Sequence, residues 1–261
     1  MYPSAGTGIS QADGGAGSYS LASFFGKANY SYDDKYLASF TIRRDGSSRF
    51  GNNNRWGTFP AFSAGWRISQ EEFMKSLRNI INDLKLRAAW GQTGNQSIDN
   101  TARYSIYDAN YGTGDPPTYG TSYDITGSNG GALLSSGFRR TQLGNDNLKW
   151  ETTTQTNIGL DFSLLQSALY GSVEYYYKKT KDILIKPSYI AVIGEGGGQW
   201  RNVGKMQNKG FELNLGYRHT TSYGFSYDIN GNLSRNRNKI LFVPDDVAST
   251  GDFGGNGVMN I

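Results

Sequence analysis

"FELNLGYRH", from Phe211 to His219, is the stretch whose reading decides the fold. Phe211, Leu213, Leu215 and Tyr217 share one parity, and Glu212, Asn214, Gly216 and Arg218 share the other. A period of two sends the first set to one side of an extended strand and the second set to the opposite side. Outward from this stretch the pattern recurs. In "FSYDINGNLS" (225–234), Phe225, Tyr227, Ile229 and Leu233 oppose Ser226, Asp228, Asn230 and Asn232. "LKLRAAW" (84–90) sets Leu84, Leu86 and Trp90 against Lys85 and Arg87, and "NIGLDF" (157–162) sets Ile158, Leu160 and Phe162 against Asn157 and Asp161. Each reads as a strand with one apolar and one polar face.

The pattern predicts eight strands, at about 19–32, 35–45, 57–68, 82–93, 151–164, 168–181, 202–218 and 223–236. They exceed the five or six residues usual in soluble sheets and reach the nine to eleven that a tilted strand needs to cross a bilayer. Their connections are of two kinds. Short ones fall at 33–34, 165–167 and 220–223, and long ones at 46–56, 94–150 and 182–201. The link at 69–81 joins the short set if it holds one helical turn, for which Ser69 and Glu72 have the spacing of a capping box, with Phe73 and Leu77 on one face. The predicted fold is all-β: an antiparallel up-and-down transmembrane barrel, here a partial barrel of about eight strands. A soluble sandwich would alternate in the same way but would rarely put all its long loops on one side. Eight strands alone close a barrel filled by side chains. The many Asn, Ser, Asp, Glu, Lys and Arg of the polar face suit a wider lumen, so the chain reads as a segment of a larger barrel.

Composition narrows the function. The chain has 261 residues, no cysteine, 37% hydrophobic and 14% aromatic content, 35 glycines and a formal net charge of +4. A disulfide scaffold and a thiolate metal site are excluded. The mild, dispersed charge gives no nucleic-acid stripe, and no run approaches a membrane helix. "MYPSAGTGIS" at the start has neither the basic nor the apolar part of a signal peptide. The predicted layout is a Gly/Ser-rich loop at 1–18, the barrel segment at 19–240 and a truncated outer loop at 241–261.

Five stretches resemble the SusC/RagA-like TonB-dependent transporters of the Bacteroidota outer membrane. They are "YDDKYLASFTIRRDGSSRFGNNNRWGTFPAFSAGWRIS" (32–69), "INDLKLRAAWGQTGNQ" (81–96), "LGNDNLKWETTTQTNIGLDFSLL" (143–165), "VEYYYKKTKDIL" (173–184) and "NVGKMQNKGFELNL" (202–215). The resemblance implies an integral outer-membrane barrel of 22 strands with an N-terminal plug. It also implies a SusD-like surface lipoprotein as partner, oligosaccharide or peptide as substrate, and energy from the TonB complex through a region with no counterpart in this chain. The chain would then be a C-terminal barrel segment of an importer, surrounded by outer-membrane lipid and lipopolysaccharide. The alternative is a surface adhesin or binding barrel without transport, suggested by a long Tyr-rich loop; a soluble β-sandwich enzyme comes third.

No catalytic, cofactor or metal site is expected. The single histidine, His219, falls at a predicted short turn, away from the long loops. "GDP" (114–116) and "DD" (245–246) offer loop carboxylates for calcium but read more simply as solvated acids, and "GEGGG" (194–198) and "VGK" (203–205) lack the phosphate-loop pattern. Polar residues Lys85, Arg87, Asp161, Glu174, Glu212 and Asp228 are expected to face the lumen, where the acids pair with Lys and Arg. Substrate contacts are expected from Tyr104, Tyr107, Tyr111, Tyr119 and Tyr123 of the long loop and from Trp200. The same residues also suit loop packing or contact with a lipoprotein. Trp66, Trp90, Trp150, Tyr170 and Tyr177 read as interfacial girdle aromatics. In "RRDGSSRFGNNNRWGTFP" (43–60), Gly46 and Gly51 permit turns with positive φ, and Asn52 to Asn54 tolerate them and stay hydrated. Arg44, Arg49 and Arg55 have Asp45, loop acids or lipid phosphates as candidate partners.

Overall fold

A computed structural model describes residues 17–108, 139–187 and 198–245, together with the short strands Ser122–Tyr123 and Ser135–Ser136. Its frame is one sheet of eight strands: β1 Leu21–Tyr32, β2 Tyr36–Ser47, β3 Trp56–Arg67, β4 Ile81–Asn95, β5 Glu151–Leu164, β6 Leu169–Lys181, β7 Lys205–Thr220 and β8 Ser226–Phe242. Spatial order follows chain order, and every neighbouring pair is antiparallel. The predicted meander is therefore present, with strands of 12 to 17 residues. β1 and β8 do not pair with each other, so the sheet is open. In lipid its two outer edges require further strands, because unpaired N–H and C=O groups cost several kcal/mol each there.

At one end of the sheet the chain turns tightly. Asp33 and Asp34 turn β1 into β2 at φ 51° and 49°. Aspartate tolerates this left-handed region because its short side chain bonds locally. Leu165, Gln166 and Ser167 hold φ of 54°, 57° and 64° between β5 and β6, and Gly224 takes φ 87° between β7 and β8. The β3–β4 link carries two 3₁₀ turns, Ile68–Gln70 and Glu72–Leu77. The expected capping box does not form. Ser69 is buried and its hydroxyl donates to Asp83 Oδ1 at 3.0 Å, which tacks the link to the start of β4.

The cross-strand registers give the sheet two unlike faces. Ile158, Leu160 and Phe162 of β5 stand opposite Ala88, Leu86 and Leu84 of β4, and Val173 stands opposite Leu160 on one side and Leu213 on the other. Leu213 in turn faces Leu233. Nothing among the described residues covers this face: Ile229 is 67% and Leu233 64% exposed. The other face carries Lys85 opposite Asp161, Glu174 opposite Glu212 and Arg218 opposite Asp228.

The one hydrophobic core among the described residues lies at the long-loop end. Phe50, Ile98, Ala102, Leu148 and Trp150 from the connections and strand starts close around Phe59 of β3, with Leu184 and Trp200 packed against them. The Trp150 ring stands 5.2 Å from Phe50 and 5.5 Å from Phe59, and its Nε1 donates to Arg55 O at 3.0 Å. Trp150 is thus a loop-core residue and not a girdle aromatic. Tyr170 also departs from that expectation. It lies on the polar face, opposite Gly216, and donates to Asp228 Oδ1 at 2.6 Å. Trp66, Trp90 and Tyr177 do stand on the apolar face, by their pairing with Tyr36, Phe62 and Lys209.

Candidate functional site

Three strands build a polar cluster in the middle of the sheet. Arg87 of β4 faces Gly159 of β5, and Glu174 of β6 faces the same glycine from the other side. The absent side chain at 159 leaves the path open. Arg87 reaches across it, with Nε 3.1 Å from Asp161 Oδ1 and Nη2 2.6 Å from Glu174 Oε2. Asn157 Nδ2 also donates to Glu174. One guanidinium thus bridges two carboxylates through its rigid fork of donors, and the trio keeps one negative charge in excess. Asp228 belongs to a second group, between the Tyr170 hydroxyl and Arg218, whose guanidinium lies 4.5 Å from the centre of the Tyr170 ring. Lys85 shares the face with Asp161 and Glu212 with Glu174, by register. All six polar residues singled out in the sequence therefore lie on one face, and three of them form one ion cluster. Asn157, set by its parity on the same face as Asp161, joins that cluster although it was not among the six.

Above Lys85 and Arg87 the same face is lined by small residues: Ser39 of β2, Ser63 and Gly65 of β3, and Ala89 of β4. They leave a depression of about 500 Å³. It is an open trough with two cations at its margin, and nothing in it resembles a catalytic constellation. Among the described residues no group of three or more His, Cys, Asp or Glu converges on a metal position. His219 sits in the last turn-end residues of β7, within the strand and not in the turn. It stacks with Tyr217 at 6.4 Å and meets Tyr227 at 5.8 Å, joining an aromatic group with Phe225.

The long loops are knitted together by amides. Asn145 Nδ2 donates to Trp200 O at 2.8 Å, and Asn147 N donates back to Asn145 Oδ1 at 3.0 Å. Asn202 accepts from Lys149 N at 2.9 Å and donates to Lys149 O at 2.7 Å and Asp182 O at 2.9 Å. The "LGNDNLKW" stretch is thus a clasp joining two loops. In the 43–60 stretch Asp45 is taken by Arg43, and the other arginines have neighbours of their own among the described residues. Asp45 pairs with Arg43 at 2.7 Å, Arg44 lies over Trp56 at 5.3 Å, and Arg55 donates to Asn52 Oδ1 at 2.7 Å. Arg49 donates to Asn100 Oδ1 and Gln96 O, both at 2.9 Å, and covers the Tyr19 ring at 4.0 Å. Gly46 and Gly51 do not have positive φ, nor do Asn52 to Asn54. Gly51 is required by close approach instead: a Cβ there would stand 2.2 Å from the Asp146 carbonyl oxygen.

Of the substrate-contact candidates, Tyr104 and Tyr107 are exposed at the loop end, with Arg103 over the Tyr104 ring at 4.4 Å. Trp200 is half-buried against the loop core and its Nε1 donates to Asp99 Oδ2 at 3.3 Å. Tyr123 falls in the strand Ser122–Tyr123, and Tyr111 and Tyr119 lie outside the described residues.

A meander of long strands with a bare apolar face, an ion-paired polar face and tight turns at one end is the wall of a transmembrane β-barrel. The chain belongs to the TonB dependent receptor-like β-barrel family, whose model matches residues 2–260, and its place is the outer membrane. It is 38% identical over 221 residues to the TonB-dependent receptor SusC of Bacteroides thetaiotaomicron, covering 84% of this chain and 21% of that protein. It is also 38% identical over 231 residues to the TonB-dependent receptor P3 of Formosa agariphila, covering 86% and 21%. The RagAB peptide transporter structure superposes with a TM-score of 0.73 at 28% identity, over 88% of this chain and 23% of that one. The FrpB iron transporter of Neisseria meningitidis, at 14% identity and a TM-score of 0.55, shares the fold alone. The chain thus spans about a fifth of the length of the curated relatives it matches.

Proposed function

We propose that the protein containing this chain is an active importer of oligomeric nutrients, glycans or peptides, across the outer membrane. The observation that carries the reading is the division of one sheet into a bare apolar face and an ion-paired polar face, with knitted loops at one end. In this reading lipid contacts the first face and the second lines the lumen, with Lys85, Arg87, Asp161, Glu174, Glu212 and Asp228 on its wall. The loops face outward, and Tyr104, Tyr107 and Trp200 offer aromatic faces and polar edges to sugar rings or peptide side chains there. Tyr111, Tyr119 and Tyr123 belong to the same loop and the same proposal. The match to SusC and the RagAB peptide transporter supports import and favours a SusD-like lipoprotein as partner above the loops. Energy enters through TonB acting on another part of the protein. No step in this scheme asks the chain to make or break a covalent bond.

The test is an uptake assay in cells lacking the full-length gene, supplied with candidate oligosaccharides and peptides. Import predicts loss of growth on at least one oligomer, restored by the intact gene and not by one lacking its TonB-contacting region. Unchanged uptake of every oligomer, with lost attachment to surfaces, would establish the adhesin instead.

A further inference from the structure

The apolar face ends at the loop side of β6, β7 and β8 in a block of cations. On β6 the parity of Val173, Tyr175 and Tyr177 continues through Lys179 and Lys181. On β7 the parity of Phe211, Leu213 and Leu215 continues through Lys209, Gln207 and Lys205, and on β8 that of Ile229 and Leu233 continues through Arg235, Arg237 and Lys239. The registers put these residues level with one another. Arg235 faces Phe211, Arg237 faces Lys209, Lys239 faces Gln207, and Lys181 faces Lys205. Seven cations therefore cover the apolar side of three adjacent strands, more positive charge than the net +4 of the whole chain. At the same level the apolar side of β2 to β5 carries Arg44, Thr58, Gln92 and Thr154, one cation in all.

These charges are unanswered within the described residues. None of the seven has an ion pair; Lys205 lies 5.7 Å from the Phe242 ring, and the nearby acid Asp182 is held by Lys149 at 3.1 Å. No Asp or Glu of the eight strands shares their parity. Like charges opposite one another across strands repel, so the arrangement carries a cost that a solvated lumen face would not explain. The block directly continues the apolar face, so it lies where hydrocarbon gives way to headgroups. Long Lys and Arg stems can stay in the apolar zone while their heads reach out.

We propose that this block is a binding site for a phosphate-bearing lipid of the outer leaflet, its acyl chains against Phe211, Leu213 and Leu233 and its phosphates among Lys209, Arg235 and Arg237. The proposal rests on the reading that the loops face outward. Phosphate matches the block in sign, and arginine presents paired donors to it. A free phosphate would meet the cations but gain nothing from the adjoining apolar face.

The test uses the full-length receptor purified in detergent and stripped of lipid, then titrated with purified lipopolysaccharide, its dephosphorylated form and inorganic phosphate. Retention is read by native mass spectrometry at two salt concentrations. Wild type should hold the phosphorylated lipid at least tenfold more tightly than the dephosphorylated one, and salt should narrow the gap. The triple variant Lys209→Gln, Arg235→Gln and Arg237→Gln should lose roughly 100-fold, at about fivefold per cation near an anionic surface. Lys178→Gln, at the same level on the polar face, should lose nothing. Heat-modifiable migration confirms that each variant is folded, and the single change Arg237→Gln, with a loss of about fivefold, serves if the triple variant is not. Equal retention of the two lipid forms, or equal loss with Lys178→Gln, overturns the site. Tight competition by inorganic phosphate overturns the lipid. In either case import by the same variants remains measurable, so the site and the transport reading fail separately.

Discussion

Phe59 and Phe62 stand three residues apart on β3 and meet opposite fates: Phe59 is 7% exposed and Phe62 is 52% exposed. The odd-numbered ring turns to the polar side at the loop end, where Trp150, Phe50 and Leu148 enclose it. The even-numbered ring turns to the apolar face, where the rings of Phe40 at 4.9 Å and Trp90 at 6.1 Å are its aromatic neighbours among the described residues. The loop end is thus stabilised as a small globular domain is, by apolar groups excluding water from each other. The wall is stabilised by its ladders and by the lipid that covers it, and in water it would expose a large apolar patch. One strand therefore belongs to two solvents, and its side chains must satisfy each in turn.

The comparison breaks first at the loop core. Trp150→Ala should cost about 3–5 kcal/mol of local stability, as for other buried aromatics. The expected signature is new protease cleavage within 96–150 while heat-modifiable migration of the barrel is retained. Barrel unfolding in parallel would show that core and wall are one cooperative unit. On the wall, Ile229→Arg, midway along the apolar face between Phe225 and Arg235, should cost about 2–4 kcal/mol in denaturant titration of the receptor folded into vesicles, the range for a cation on a lipid face near midplane. Ile229→Leu should cost little. Arg87→Gln should cost less, about 1 kcal/mol, since the cluster is open to solvent. Under the proposed reading of the polar face as the lumen wall, its larger effect follows from Asp161 and Glu174 left without a cation: single-channel or uptake selectivity should shift toward cationic substrates.

The smallest effect is at the tight turns. Glu71 accepts from the Tyr36 hydroxyl at 2.6 Å and from Trp66 Nε1 at 3.0 Å. These bonds, and the more distant Lys35 ammonium at 3.9 Å, hold its carboxyl below the usual glutamate range. A carboxyl with a lowered folded value contributes stability that is fully present above its unfolded pKa and is lost as pH falls through the folded one. Glu71→Gln should remove that acid-side slope, lowering turn stability near neutrality toward the level wild type reaches only in acid and changing little at low pH, as read by turn proteolysis across pH.

Much of the wall was legible because a half-buried strand must alternate. The parity of Leu213 and Glu212 in the sequence is the parity of the two faces in space. The end of β8 was not. It runs to Phe242, six residues beyond the predicted end at 236, because Arg235, Arg237 and Lys239 replace apolar residues on the parity of Ile229 and Leu233 and the run from Ser234 to Lys239 reads as uniformly polar. Tyr170 misled for a different reason. An aromatic near a strand end suggests a girdle, but this one starts the even parity and lies over Gly216, where a Cβ would come within 2.3 Å of the ring. The loop core left no periodic trace at all. Phe50, Ile98, Leu148 and Trp150 are scattered over a hundred residues, and only tertiary folding brings them around Phe59. The polar cluster was half legible. Parity put Arg87, Asp161 and Glu174 on one face, whereas the gap at Gly159 that lets them meet depends on a register that no single strand reveals.

The central claim is that the two parities of one strand face lipid and lumen. The chain has no cysteine, so single cysteines at positions 211 to 217 of the full-length receptor, cleared of any others, can carry spin labels one at a time in reconstituted membranes. Collision with oxygen should peak at 211, 213, 215 and 217, and collision with a water-soluble nickel chelate at 212, 214 and 216. A profile without alternation, or one with the two phases exchanged, would contradict the account.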